Sequence, residues 1–114
     1  PLNATNLNGG ILSMIGDKLK CFVISATHSQ GITIESGYEY IVVWSAQGAS
    51  GSKGIDYVWL EGSSPVSRNI VLSGTNPSQL LTYTAYSDTA FLITNTASAT
   101  TVHAMIVAQR ATAI

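Results

Sequence analysis

Thr101-Val102-His103-Ala104-Met105-Ile106-Val107-Ala108-Gln109 decides how this chain can fold. Alternate side chains of a β-strand leave opposite faces. Val102, Ala104, Ile106 and Ala108 then share one face. His103, Met105 and Val107 share the other, between Thr101 and Gln109. A sheet wetted on one side carries polar residues at every second position. This stretch does not, so its second face needs a cover. No segment of the chain keeps a 3.6-residue period, so a helical layer cannot supply one. The simplest cover is another copy of the chain or a larger partner.

Working outward, further strands alternate with turn chemistry. Leu19–Ser25 is a near-continuous apolar run, and Ile32–Glu35 a short alternating one. Tyr38–Gln47 is the longest, and a flexible GASGSKG tip separates it from Ile55–Glu61. Ser67–Leu72, Gln79–Tyr86 and Thr89–Thr94 follow, each bounded by Gly, Pro, Asn, Asp or Ser. With the closing stretch these make eight strands, at the spacing of about 8–12 residues typical of an all-β sandwich or barrel. We expect a single-domain β-sandwich over 11–114, an eight-stranded jelly roll of two four-stranded sheets. Residues 1–10 are Asn-rich and aperiodic and are expected to form an extended arm that gains order on a partner. Deleting them should then weaken docking without unfolding the domain.

Composition points the same way. The chain has 114 residues, enough for one domain with a core that needs no disulfide or metal. Only 10% of them are charged, against about 25% in ordinary soluble domains. The net charge is −1, too small for self-repulsion to keep copies apart. Five Lys and Arg are scattered against six acids, so no basic field calls for nucleic acid. No apolar run approaches the ~18 residues of a membrane helix, and no signal-peptide pattern opens the chain. The expected site of synthesis is therefore the cytoplasm. Cys21, the single cysteine, is read as a small buried hydrophobe within Leu19–Ile24.

Catalytic and metal-binding patterns were weighed in turn. Pro1 is read as the residue left by removal of an initiator methionine, not as a tautomerase base. Leu2–Asn8 is neither apolar nor strand-like, and no helix follows. His28 and His103 lack the His-x-His spacing of a cupin metal site. The acids Asp17, Glu35, Glu39, Asp56, Glu61 and Asp88 fall mostly at strand ends or turns and are read as solvated. No serine sits in a Gly-x-Ser-x-Gly elbow. The expectation is a protein that is not an enzyme and holds no metal or other cofactor. Trp44, Tyr57 and Trp59 lie on neighbouring strands and are candidate ligand-stacking aromatics, although core or interface anchoring is the commoner role. Leu81, Tyr83, His103, Met105 and Val107 are the candidate interface residues.

With its polar arm, low charge, Ser/Thr/Ala/Gly-rich loops and jelly-roll-like pattern over Leu19–Gln109, the chain resembles small phage virion proteins of the head-decoration (cement) type. That resemblance implies a structural role on the capsid surface. Copies would associate, as a trimer, and would bind the major capsid protein or another virion protein. It carries over no individual functional residue. The competing expectation is a receptor- or glycan-binding β-rich head of a tail fibre.

Overall fold

The computed structural model describes residues 7–48 and 51–111. These form nine strands: β1 (Leu7–Leu12), β2 (Leu19–Ile24), β3 (Ser29–Thr33), β4 (Tyr38–Ala46), β5 (Lys53–Glu61), β6 (Ser64–Ser73), β7 (Leu81–Ser87), β8 (Ala90–Asn95) and β9 (Val102–Arg110). One sheet has the order β1-β3-β8-β7, the other β2-β9-β4-β5-β6. Every pairing is antiparallel except that of β1 with β3. The expected all-β sandwich is present. Its strand number and order differ from the expected jelly roll, with nine strands in sheets of four and five. β4, β5 and β6 run as a meander, and β7 and β8 as a hairpin within one sheet.

Two departures have the same cause. Ser29, Gln30 and Gly31 fall outside the expected strand Ile32–Glu35 because they are polar or lack a side chain, yet they open β3 and are buried. Neighbouring strands supply their hydrogen bonds. The Ser29 hydroxyl lies 2.8 Å from Thr94 Oγ1, and Gln30 Nε2 donates to the Gly10 carbonyl at 2.9 Å. That second bond draws residues 7–10 of the expected arm into β1. Residues 1–6 lie outside the described residues, so deletion of 1–10 would cut into the sandwich as well as the arm.

β9, the closing strand, sits between β2 and β4. Its even-numbered side chains Val102, Ala104, Ile106 and Ala108 enter the core, where Tyr40, Val42, Trp44, Val58, Phe91 and Ile93 meet them. Trp44 fits because Gly54 stands opposite it on β5. A Cβ at residue 54 would lie 2.5 Å from the indole. Gly54→Ala is therefore expected to cost about 1–3 kcal/mol through overpacking, read as a lowered denaturation midpoint with a changed near-ultraviolet signal from Trp44.

One acid lies inside this core. Asp56 is 1% exposed. Its Oδ2 accepts from Trp44 Nε1 at 3.1 Å, Gln79 Nε2 at 2.9 Å and the Tyr83 hydroxyl at 2.6 Å. Its Oδ1 accepts from Asn69 Nδ2 at 2.9 Å. The expectation of a solvated carboxylate is corrected here. The even positions of β5 face inward, and Asp56 falls between Gly54 and Val58 on that face. Because Tyr83 belongs to β7, this carboxylate ties the two sheets together.

Burial, and then the Asp56 carboxylate, hold the Tyr83 phenol well above its ordinary range. An unfolded tyrosine ionises near pH ~10. Above that pH the native state keeps a proton that the unfolded chain loses. Stability is thus intact below about pH 10 and falls as the pH rises further, by about 1.4 kcal/mol per pH unit for one such group. Tyr83→Phe should flatten this alkaline loss by about one proton's share, measured by denaturant unfolding between about pH 9 and 11.

Candidate interface on the outer sheet face

The outer face of the five-stranded sheet carries the odd-numbered residues of β2, β4, β5 and β9. Register aligns them into rows across all five strands. Cys21, Met105, Val43, Ile55 and Val71 form one row. Leu19, Val107, Ile41, Tyr57 and Arg68 form the next. Flanking the Cys21 row are Val23, His103, Ser45, Lys53 and Ser73. Beyond the Leu19 row, Gln109 pairs with Glu39, and Trp59 with Val66. Two adjacent rows are therefore nonpolar from edge to edge, apart from Arg68 on the last strand.

These side chains are open to solvent. Leu19 is 55% exposed, Val23 41%, Val43 37% and Val71 43%. Ile41, Ile55, Met105 and Val107 are half-buried by their neighbours. A shallow depression of about 660 Å³ lies over the Cys21 row, bordered by His103 and Lys53. The opposite exterior face, on the four-stranded sheet, presents Thr82, Thr84 and Thr94. Ile11 and Leu92 share the Thr84 row of that face, so the contrast is one of degree, and the five-stranded sheet carries the wider nonpolar exterior.

His103, Met105 and Val107 lie on this face, as the alternation of β9 predicts. Leu81 and Tyr83 do not. Leu81 is 2% exposed, and Tyr83 reaches across to Asp56. Their strand alternates apolar and threonine positions, and its apolar phase faces the core. Trp44 is likewise a core residue, 2% exposed, and offers no stacking surface. Tyr57 and Trp59 do point outward, as a ring pair with centroids 5.2 Å apart. The Tyr57 hydroxyl donates to Glu39, which pushes the phenol up from its ordinary value. Gln109 also donates to Glu39, and Trp59 Nε1 donates to Glu61 at 3.2 Å. The pair borders a concavity of about 770 Å³ that Tyr38, Ser36, Ser63 and Asp88 also line.

Cys21 is exposed, contrary to the reading of it as a buried hydrophobe. Leu19, Ile41, Val43 and Ile55 are further members of the face that sequence reasoning missed. The two-sided test applied to Thr101–Gln109 would have found Leu19, Ile41 and Val43, because Leu19–Ile24 and Tyr38–Ala46 carry apolar residues on both parities too. His28 lies in the β2–β3 connection, away from His103 on the outer face of β9, where Gln47 Nε2 approaches the His103 ring at 2.6 Å. Among the described residues no three His, Cys, Asp or Glu side chains gather as a metal-binding group.

No protein-family model matches the chain, and no curated protein matches it in sequence. Among solved structures, the tailspike protein of Acinetobacter phage vB_ApiP_P1 aligns with 81% of this chain at 14% identity and a TM-score of 0.49. The chain spans 21% of that protein's length. The residues of this chain, and not that likeness, carry the functional reading.

Proposed function

We propose that this chain is a non-enzymatic structural protein that works by burying the outer face of its five-stranded sheet against other protein. We place it, on the resemblance in sequence pattern, among phage virion proteins of the head-decoration type. Copies associate with one another and bind the major capsid protein or another virion protein at the shell surface. The pair of nonpolar rows supports this reading. Five strands each about 4.8 Å wide and nine residues of β5 each rising about 3.4 Å cover roughly 24 by 31 Å. With side-chain relief, that approaches the ~800 Å² per partner of a standard stable interface. Many such contacts on one particle add through effective concentration even where each is weak.

Cys21 is a built-in reporter of the face. At micromolar concentration the protein should sediment as an oligomer, with its thiol slow to react with a chromogenic disulfide reagent. Dilution or mild denaturant should release the thiol as the oligomer dissociates. A stable monomer with a freely reactive thiol would overturn the proposal.

The outward-facing, half-buried Tyr57–Trp59 pair favours a second reading, a glycan-binding head of a tail fibre. Stacked sugar would quench Trp59 while leaving buried Trp44 unchanged. A glycan array with no hits and no such quenching removes this reading.

A further inference from the structure

We infer that the occupant of the outer face is a second copy of the chain, packed sheet on sheet about a two-fold axis that runs across the strands. The inference rests on the reading that this face docks at all, and adds to it a partner and a register. Along β5 the outward residues are Lys53, Ile55, Tyr57, Trp59 and Glu61, with a cation at one end, a carboxylate at the other and three nonpolar side chains between. The margins of β4, β5 and β9 share this polarity, while Arg68 on β6 places one cation nearer the acidic end. His103 joins Lys53 at one margin, and Glu39 joins Glu61 at the other. The ion pairs among the described residues, Lys18–Glu35 and Lys20–Asp17, involve none of these groups.

For sheets packed with their strands aligned, the two-fold axis lies in the interface and runs either along the strands or across them. An axis along the strands lays each margin on itself. Glu39 then meets the partner subunit's Glu39, and like charges oppose. An axis across the strands makes the facing strands antiparallel and lays β4 on β4 and β5 on β5. The Cys21 row then covers the partner subunit's Leu19 row, nonpolar on nonpolar. Lys53 comes opposite the partner subunit's Trp59, with carboxylates on either side of it. That arrangement offers the ammonium a ring face and opposite charge together. Aligned sheets pack about 10 Å apart, so the nonpolar rows can interdigitate while the charged margins close the rim. A contact of this kind is self-complementary and builds pairs, where a trimer would need a head-to-tail contact.

Two measurements on the full chain test this. Sedimentation equilibrium should give a dimer. A short bifunctional maleimide should join the two Cys21 thiols covalently, because β2 lies on β2 and the Cα atoms stand about 12 Å apart. The strand-parallel axis separates them by about 20 Å or more. Lys53→Glu and Glu61→Lys, both exposed positions, should each weaken the dimer roughly tenfold or more. An equimolar mixture of the two variants should recover near wild-type association, because a mixed pair has opposite charges at both ends. A dimer with no Cys21 cross-link and no recovery on mixing overturns the register and leaves the docking face standing. A trimer does the same. A monomer that buries Cys21 only on a capsid protein overturns the second copy as occupant. A monomer whose Cys21 stays reactive on every virion protein tested overturns the docking face as well.

Discussion

Asp56→Ala is expected to remove about 3–5 kcal/mol of stability, the cost of leaving two or three buried donors without an acceptor. Domains of this kind hold about 5–15 kcal/mol in all, so the variant should unfold more than about 10 °C below the wild type. The reason lies in the donors left behind. Trp44 Nε1, Gln79 Nε2 and the Tyr83 hydroxyl all converge on Oδ2, and Asn69 Nδ2 points at Oδ1. Asn69 lies at the surface, but Trp44 and Tyr83 cannot turn their donors to solvent without moving a strand. Each buried donor without a partner costs about 1–3 kcal/mol. Asp56→Asn keeps the shape and the acceptor for three donors, but sets its own NH₂ against that of Asn69. Asn69 cannot flip to accommodate it, because its Nδ2 also donates to the Val71 carbonyl at 2.8 Å. Asn should therefore fall between Asp and Ala. Chemical denaturation of the three proteins checks the order. An Asp56→Ala protein as stable as the wild type would show that the network is replaceable by water.

That network also marks where sequence reading stops. The strands, their turns and the sandwich were legible because they rest on local rules: alternation, β-branched and aromatic runs, and glycine at turns. Gly62-Ser63, the two-residue link between β5 and β6, has Gly62 at φ 69°, as such a hairpin needs. Sheet membership is a long-range property, and so was not legible. Nothing local says that β9 enters between β2 and β4, or that β1 pairs with β3. The same limit explains the misplaced residues. Leu81 and Tyr83 were known to alternate with threonine, but which phase faces inward depends on the opposite sheet. Asp56 and Trp44 were 12 residues apart with no sign that one would hold the other. The two-faced character of Thr101–Gln109 was legible because a core strand and a core-plus-interface strand differ within nine residues. Register then sets Leu19, Ile41, Val43 and Ile55 beside it on the candidate face.

Val43→Glu should convert the oligomer to monomer while leaving the fold intact. Val43 sits at the middle of its row, between Met105 and Ile55, with its side chain already partly in water in the isolated chain. A glutamate there costs the monomer little, because the carboxylate extends into solvent. In the docked state the same carboxylate is pressed among Met105, Ile55 and the opposing nonpolar row. Burying an unpaired charge costs several kcal/mol. At 1.4 kcal/mol per tenfold, a penalty of about 3 kcal/mol or more weakens association by more than about 100-fold. Thr84→Glu is the matched control. It adds the same charge to the exposed side of β7, on the threonine face of the other sheet. Sedimentation velocity of the three proteins, with circular dichroism to confirm folding, should show monomer for Val43→Glu alone. The exposure of Cys21 should rise in step, from protected in the wild type and Thr84→Glu to freely reactive in Val43→Glu. If Val43→Glu associates as tightly as the wild type, the nonpolar rows are not the contact, and copies meet elsewhere on the sandwich.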